Sequence, residues 1–539
     1  MMANEHIADL TLGRRQLLKG AAAATAGVLG GTLLAACGGS SASSSAPSGQ
    51  AVPSGKPKRG GTLMVGMITA GTSETLNPAV AIANPDLTRC LNLYDTLYDV
   101  DANLDTSPQL VVSGEPNSDA TVWTFRLRPG VTFHNGKDLT ADDVIATIRT
   151  WGSPTNFANG LVGSRIDIPN LRKVDNLTFQ IPLKQANARL PQLLNKSVFN
   201  TSILPNGEFD KTRPIGTGPF MYQSFTPGQE STFVRNPNYF LSGHPYVDEL
   251  KIITSFTDNG SLVNALLANQ VAIVPLIPFS GAKQHASSPS SFQLLSSPST
   301  SNMSPYMRVD VPPFNDVNVR QALRLLVDRQ EMVDVVYDGF GTTLSDVMGN
   351  GCEFFASDLV RNRDIDQAKF LLKKAGQENL TVNFRVSDGA PNGTTCGTLF
   401  AQQAAAAGVK VNLINVPASQ FFNTSTGYLT FPFAESFYDL IDSMQAFWSW
   451  DFLKNSPAQE THWNDPTTDA LYAEATGTLD TAKAEQLWRE LQLQQFNSGG
   501  YIVFGSYYNL DGLANNVRGL SASKAGNCDM MRFSNVWFA

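Results

Sequence analysis

The hydrophobic and polar positions along the chain change their period several times, which predicts strands and helices in mixed order. Residues 61–68 form a short β-type run, and residues 123–128 alternate apolar and polar side chains as a half-buried strand does. Similar short runs predict strands at 177–181, 233–235 and 409–414. Because these strands and the predicted helices follow no strict βαβ order, the pattern indicates an α/β protein with mixed lobes.

Helices are predicted where apolar residues recur every three or four positions behind a capping side chain. The segment Thr140-Ala-Asp-Asp143 has the spacing of a capping box in front of Val144, Ile145 and Ile148. The predicted helices begin at Thr140, Asp316, Asp366 and Asp480, and those at Asp316 and Asp366 end near Gly339 and Gly376.

Residues 1–36 have the order of an export signal. The paired Arg14 and Arg15 precede a run of small and apolar residues, 20–36. The arginine pair indicates the twin-arginine route, with general secretion as the alternative. A membrane-spanning helix is disfavoured because the run is shorter than the ~20 strongly apolar residues that cross a bilayer.

The segment Leu34-Ala-Ala-Cys37 resembles the lipobox of bacterial lipoproteins, in which cleavage leaves the cysteine as a lipidated N-terminus. Residues 37–59 are rich in Ser, Gly, Ala and Pro, which is typical of a flexible tether. The resemblance implies an extracytoplasmic chain, in the periplasm or on the outer face of the cell membrane, held only by a lipid on Cys37. An ordinary signal peptide with a chance cysteine is the alternative.

Composition narrows the class of protein further. The 539 residues are enough for three or four domain-sized units. Charged residues make up 16% of the chain, against a typical ~25%, which excludes a disordered acidic or basic protein. The net charge of −8 provides no basic surface for nucleic acid, so no nucleic-acid partner is expected.

The motifs of enzyme chemistry are absent or incomplete. The five histidines form no H-E-x-x-H pair and no C-x-x-C occurs, so we predict no metal and no cofactor. Ser521-Ala-Ser-Lys524 matches S-x-x-K, but no S-D-N or K-T-G follows it. Gly216-Thr-Gly218 is followed by no Gly-Lys-Ser/Thr and is predicted to be a tight interlobe turn. We therefore predict no catalytic residues and keep a secreted hydrolase as a remote alternative.

Besides Cys37, four cysteines remain, Cys90, Cys352, Cys396 and Cys528. An oxidising compartment permits two disulfides in three connectivities. Four buried free thiols are the alternative, and the spacing does not decide between them.

An aromatic cluster at residues 447–452 places Trp448 and Trp450 beside one acid, Asp451. Flat aromatic walls around a single charge suit a pocket for a ligand with an amine or a ring. Packing in a hydrophobic core, with Asp451 as a cap, is the alternative.

The segment Trp123–Val144 closely resembles the signature of the family 5 extracellular solute-binding proteins, the oligopeptide- and dipeptide-binding components of ABC importers. Further family motifs follow in the family's order, from about Gly60 to the C-terminus. They are Leu76-Asn-Pro78, Leu93-Tyr-Asp-Thr-Leu97, Ile215-Gly-Thr-Gly-Pro-Phe220, Arg235-Asn-Pro-Asn-Tyr239, Tyr246-Val-Asp248, Pro312–Ala322, Val327-Asp-Arg329, Asp366–Gly376 and Trp463-Asn-Asp-Pro466.

The resemblance implies a two-lobed fold of the periplasmic-binding-protein kind, type II in its large three-segment variety, with a hinge and an interlobe cleft. Lobe 1 (domain I) would be discontinuous, 60–96 with 216–300 and 505–539. Domain II would be 97–215, and lobe 2 (domain III) would be 301–504. The implied partners are a peptide or other small solute and the ABC permease with its ATPase, and a monomer is expected.

The resemblance also implies which residues meet the ligand. In peptide-binding members, an Asp in a W-x-x-D motif pairs with the ligand's α-amino group, and Trp448-Ser-Trp-Asp451 matches that motif. Glu74, Tyr507 and Tyr508 fall near further ligand contacts of the family. After Asp451 the chain departs from the D-Y-x-D-P of many members, which keeps a non-peptide solute open: an oligosaccharide, a nickel chelate or an opine-like metabolite.

Overall fold

The structure, a computed structural model, describes residues 55–387, 389, 392–423, 425–454, 456 and 458–539. Arg14, Arg15 and Cys37, and with them the predicted export signal and lipid anchor, lie outside the described residues. Within the described ranges, no helix has the length and the apolar content needed to cross a membrane.

The first lobe is built on a seven-stranded sheet whose strands come from three distant parts of the chain. The N-terminal strand Thr62–Ile68 runs parallel to both of its neighbours, while the other pairings in this sheet are antiparallel. From edge to edge the sheet consists of Gln293–Ser297, Asn509–Leu513, Ile273–Val274, Thr62–Ile68, Glu249–Phe256, Glu230–Arg235 and Phe220–Thr226. The helices Asn84–Leu93, Asn259–Leu267 and Phe279–Ser287 pack against it.

A smaller body, here called the inserted domain, lies between the first strand of that sheet and its second along the chain. Its antiparallel sheet has the order Val111–Pro116, Val122–Leu127, Thr178–Pro182, Arg172–Lys173. The helices Ala141–Thr150 and Phe157–Leu161 belong to it, and a separate hydrophobic core lies between them and the sheet. A hairpin of Tyr98–Val100 and Thr106–Pro108 precedes this sheet.

The second lobe contains two four-stranded sheets and the largest hydrophobic core. One sheet has the order Gly341–Thr343, Gly505–Tyr507, Asn302–Met303, Phe437–Tyr438, and the other Tyr306–Met307, Phe433–Ala434, Thr381–Val386, Lys410–Asn415. Its helices are Val317–Leu325, Arg329–Val336, Ile365–Lys374, Gly393–Ala405, Ala418–Phe421, Met444–Asp451, Pro466–Gly477 and Thr481–Ser498. After the second lobe come a short turn, Cys528–Met531, and a ribbon of Val517–Arg518 with Trp537–Phe538.

The chain crosses between the two lobes at two adjacent places. After Ser297 it leaves the seven-stranded sheet and joins the second lobe at Asn302. It returns between Tyr507 and Asn509, so that Gly505–Tyr507 pairs with second-lobe strands and Asn509–Leu513 with the large sheet. The crossings meet at the hinge that the family resemblance implies. The predicted domain boundaries themselves stay a prediction.

Most predicted elements are found within a residue or two of their expected ends. Thr140 caps its helix as predicted, with its N–H and hydroxyl both donating to Asp143 Oδ2, at 3.1 and 2.8 Å. The Asp480 side chain caps Thr481–Ser498 by accepting from Lys483 N at 2.7 Å.

Two helix predictions were wrong in detail. The single helix expected from Asp316 to Gly339 is two helices, because Asp328 interrupts it and caps the second by accepting from Glu331 N. The cap of the next helix lies two residues earlier than expected, since Asp364 and not Asp366 accepts from the N–H of Gln367.

Candidate ligand-binding site

The helix Met444–Asp451 carries the three aromatic-cluster residues that the sequence singles out. Ser443 caps it, and its Oγ accepts from Ala446 N at 3.4 Å. Gln445, near its N-terminal end, contacts the inserted domain, whereas Asp451 at the other end contacts second-lobe residues. The helix therefore runs from the interface with the inserted domain into the second lobe.

Asp451 is fully buried and is held by a tyrosine. The hydroxyl of Tyr501 donates to Asp451 Oδ1 at 2.9 Å. The same hydroxyl lies 3.2 Å from Glu460 Oε2 and 2.9 Å from the hydroxyl of Tyr438. Tyr438 also reaches Glu460 Oε2, at 3.1 Å, and Ser436 Oγ donates to Glu460 Oε1 at 2.8 Å. Two buried carboxylates are thus joined through tyrosine hydroxyls.

Burial raises the pKa of the Tyr501 hydroxyl well above its ordinary value, and the negative charge of Asp451 raises it further. The hydroxyl therefore keeps its proton and acts as a donor to the carboxylates. An arrangement with two carboxylates and hydroxyl donors favours a positively charged group, such as an ammonium, over an anion.

Glu460 is a residue that sequence reasoning missed. It lies nine positions after Asp451 in an irregular segment, and no motif connects the two. The family motif that ends at Asp451 gives no signal for it. Only the folding of the chain behind Tyr438 and Tyr501 brings the two carboxylates together.

Trp448 is 1% exposed and packs among aromatic rings of the second lobe. Its ring centroid lies 4.6 Å from that of Phe452 and 6.5 Å from that of Trp488. Among the described residues its Nε1 has no hydrogen-bond partner. Trp450 is half-buried on the same helix. The predicted role of both tryptophans as pocket walls stays a prediction.

Glu74 lies in the first lobe, whereas Asp451 lies in the second. The carboxylate of Glu74 accepts hydrogen bonds from several protein donors. Arg89 Nη2 approaches Oε2 at 2.8 Å in a fully buried ion pair, and Thr254 Oγ1 and Gly228 N donate to the same oxygen. Ala70 N donates to Oε1 at 2.9 Å. A contact from Glu74 to a ligand stays a prediction. The ligand would have to share the Glu74 carboxylate oxygens with these protein donors.

Tyr507 and Tyr508 lie at the return crossing between the lobes. The hydroxyl of Tyr507 donates to Asp439 Oδ1 at 2.7 Å, and its carbonyl accepts from Ser299 Oγ at 2.5 Å. Tyr508 N donates to Phe340 O at 2.9 Å. Both tyrosines are therefore part of the hinge, and their predicted contact with a ligand stays a prediction.

Side-chain hydroxyls supply many of the hydrogen bonds of the outward crossing. Thr300 Oγ1 accepts from Ile441 N at 2.6 Å, and Ser301 Oγ accepts from Leu440 N at 3.2 Å. These bonds tie the hinge to the segment just before the helix Met444–Asp451. Movement at the hinge would therefore displace that helix.

Cysteines and possible metal ligands are scattered through the described residues. Within the described ranges, no three His, Cys, Asp or Glu side chains are grouped so that they could hold a metal ion. Cys90, Cys352, Cys396 and Cys528 are all buried and free, so the disulfide alternative is not realised in the structure. Burial raises the pKa of each of these thiols well above its ordinary value.

A protein-family model described as bacterial extracellular solute-binding proteins, family 5 Middle, matches residues 105–458, well over half of the chain. The chain belongs to this family. The match begins in the hairpin before the inserted sheet and ends beyond Asp451, so it includes the helix Met444–Asp451. Members of the family are solute-binding proteins, a class of transport receptor.

Individual proteins agree with this assignment. A probable peptide ABC transporter periplasmic-binding protein from Sinorhizobium fredii is 28% identical over 328 residues, 56% of this chain and 60% of that protein. The Bacillus subtilis oligopeptide-binding protein AppA, solved with a nonapeptide, has a TM-score of 0.71 at 20% identity, covering 90% of this chain and 100% of that one.

A further structure, the binding protein AgaA of A. tumefaciens R10 in complex with agropinic acid, has a TM-score of 0.72 at 22% identity. The alignment covers 89% of this chain and 99% of that chain. Likenesses at this identity show the fold, and the mixed α/β, two-lobed architecture predicted from the sequence is confirmed.

Proposed function

We propose that this protein is a lipid-anchored extracytoplasmic receptor of an ABC importer that binds peptides between its two lobes and delivers them to a membrane permease. Family membership supports the receptor role. The Sinorhizobium relative is named as a peptide transporter's binding protein and the Bacillus relative as an oligopeptide-binding protein. The protein would work as a monomer and without turnover of its ligand. Its lobes would follow the predicted division. The first lobe would be 60–96, 216–300 and 505–539, the inserted domain 97–215 and the second lobe 301–504.

The buried carboxylate of Asp451 is the observation that carries the peptide assignment. It lies in the W-x-x-D motif, is fully buried, and accepts a hydrogen bond from Tyr501. A carboxylate in such a place is stabilised by a cation, and a peptide's α-ammonium supplies three N–H donors with one positive charge. Asp451 would therefore bind the ligand's amino terminus, and a ligand that contacts both lobes would shift the hinge toward closure.

A thermal-shift screen of peptides of two to nine residues, sugars, opine-like acids and metal chelates tests this function first, because a ligand that binds the folded state raises its melting temperature. The best peptide is then compared with its N-acetylated form on wild type and on Asp451→Asn. We expect acetylation and the substitution each to weaken binding by about 1–3 kcal/mol, and acetylation to add little in the variant.

The matched control is Asp358→Asn, which removes an exposed carboxylate paired with Arg489. It should bind the peptide as wild type does. If the best peptide binds Asp451→Asn unchanged, the amine assignment is wrong. If no peptide binds but another solute does, the peptide assignment is wrong, and turnover in the screen would favour a hydrolase.

A non-peptide solute is the second candidate. The fold is shared with the agropinic acid complex, and residues 452–455 depart from the D-Y-x-D-P continuation of many peptide-binding members. In that case the screen should identify a small acid, sugar or chelate that raises the melting temperature. Peptides should then have no effect, whether or not they are N-acetylated.

The anchor and the export route are tested separately. Cys37→Ser should release the protein from membranes, and continued retention would contradict the lipid anchor. Replacing Arg14 and Arg15 together by lysine should stop export by the twin-arginine route. Normal export of that variant would indicate general secretion.

A further inference from the structure

The segment Asn187–Gln192 of the inserted domain contacts Gln445 of the second lobe through three hydrogen bonds. Asn187 Nδ2 donates to Gln445 Oε1 at 2.9 Å. Gln445 Nε2 donates to the carbonyl of Arg189 at 2.7 Å and to Gln192 Oε1 at 3.0 Å. Gln445 is 2% exposed, so its amide has exchanged water for these partners.

Glu353 of the second lobe binds the same segment from another side. Arg189 Nε lies 3.1 Å from both carboxylate oxygens of Glu353, and Gln192 Nε2 donates to Oε2 at 2.7 Å. The guanidinium of Arg189 also stacks over the ring of Phe354, 4.5 Å from its centroid. Close by, Ala188 N donates to Thr476 O at 2.7 Å.

These contacts join two bodies that the chain does not connect directly. The chain leaves the inserted domain at Gly216 for the first lobe, and reaches the second lobe only through the crossings after Ser297 and before Asn509. Other hydrogen bonds hold the inserted domain to the first lobe: Phe157 N donates to Ala79 O at 2.9 Å, and Gln109 Nε2 lies 3.4 Å from the hydroxyl of Tyr239. Rotation about the crossings would therefore separate Asn187–Gln192 from Gln445 and Glu353.

The chemistry of the contact suits a reversible closure. Amides, a carboxylate and a guanidinium make it, and water can replace each partner when the surfaces part. Separate hydrophobic cores lie on the two sides, with Leu190 in that of the inserted domain and Phe447 in that of the second lobe. Few apolar side chains cross the boundary: Ala446 packs against the core of the inserted domain, and Val100 and Leu104 belong to that of the second lobe. Opening would therefore leave most of each core intact.

We propose that Gln445 and Glu353 form an interlobe latch that holds the receptor partly closed before any ligand arrives. Gln445 is a positioning residue, because it belongs to the helix Met444–Asp451 and ties closure to the placement of Asp451 at the helix's other end. That link to Asp451 rests on the proposed function. The latch itself is a property of the two bodies and can be measured without ligand.

The test is single-molecule energy transfer on the ligand-free, full-length protein carrying Cys37→Ser and dyes at Arg172→Cys and Lys374→Cys. Both dye positions are exposed, one in the inserted domain and one in the second lobe, and the four described native thiols are buried. We expect wild type to show a closed and an open population. Glu353→Gln and Gln445→Ala should each lower the closed-to-open ratio about fivefold to tenfold, the effect of losing one or two hydrogen bonds.

Asp358→Asn is the matched control, since its carboxylate also pairs with an arginine, Arg489, but within the second lobe. Its closed-to-open ratio should stay within about twofold of wild type, as expected for an exposed pair. The latch is overturned if wild type has no closed population, if the ratio is unchanged or raised in both latch variants, or if Asp358→Asn lowers it equally. Shifted ratios with no peptide bound in the screen would leave the latch standing and contradict the proposed function.

Discussion

The Nε2 atom of His134 lies 3.0 Å from the carbonyl oxygen of Gly218. Gly216 N donates to Nδ1 of the same ring at 3.1 Å, and His134 N donates back to Gly216 O at 2.9 Å. Because Nδ1 accepts, the ring is the neutral tautomer with its proton on Nε2. A histidine of the signature segment thus clamps the turn through which the chain returns to the first lobe.

This clamp predicts acid sensitivity. Burial lowers the pKa of His134 from 6.5 to about 4, with the carbonyl of Gly218 partly opposing the shift. A lowered folded-state pKa means that the unfolded chain binds the proton more readily below pH 6.5. The stability contributed by neutral His134 is therefore complete above pH 6.5 and is lost as the pH falls toward 4, by about 2–3 kcal/mol.

Urea unfolding at pH 7.5 and 4.5 measures this loss. His134→Gln has no imidazole to titrate, so its free energy of unfolding should fall between the two pH values by about 2–3 kcal/mol less than that of wild type. The same pH dependence in both proteins would contradict the assignment.

Gly216 allows the return turn to lie against the helix end at Leu93. A Cβ on Gly216 would lie 2.1 Å from Leu93 O and 2.6 Å from the ring of Tyr94. Gly216→Ala should therefore lower the free energy of unfolding by about 1–3 kcal/mol, the cost of overpacking. Gly160→Ala is the control, because its Cβ would meet nothing within 4 Å and it lies in the helix Phe157–Leu161.

At Gly160 the same substitution should be neutral or stabilising by up to about 1 kcal/mol, since alanine favours a helix. Denaturant unfolding of the two variants beside wild type gives both numbers. Equal effects at the two positions would show that close packing at Leu93 does not matter.

Local signals made much of the fold predictable. Alternation in residues 123–128 and the capping box at Thr140 depend on neighbours in sequence, and both elements are found. The break at Asp328 was missed because Leu326 and Val327 continue the apolar pattern of the preceding helix into the core.

The site was less predictable, because its contacts join distant parts of the chain. The motif around Asp451 is visible in the sequence, but the Tyr501 hydroxyl that binds it comes from 50 residues away. Glu460 and Gln445 carry no motif of their own, and their partners lie in other elements. Such pairs follow from tertiary packing, which periodicity and capping do not report.

Arg324 predicts a large loss of stability on substitution. It is fully buried and donates to the carbonyls of Tyr501 at 2.8 Å, Phe496 at 3.0 Å and Gly499, at the C-terminal end of Thr481–Ser498. Arg324→Met would remove the donor to Tyr501 O and one of the donors to Phe496 O and Gly499 O, which keep Arg361 and Arg320. It should cost about 2 kcal/mol or more.

The control is Arg489→Met, on the exposed face of the helix Thr481–Ser498. There the lost pair with Asp358 should cost about 1 kcal/mol or less. Urea unfolding at neutral pH compares the two. A cost at Arg324 no larger than that at Arg489 would mean that the carbonyls find other donors.

The four described cysteines predict a clear thiol count. Cys90, Cys352, Cys396 and Cys528 are buried and unpaired with one another, and burial disfavours the reactive thiolate. The Cys37→Ser protein should therefore react little with an aromatic disulfide reagent when folded, and should release four thiols when denatured without reductant. Two thiols or none on denaturation would mean that disulfides had formed in the compartment where the protein matures, so protein exported in the cell and protein refolded from reductant should be titrated side by side.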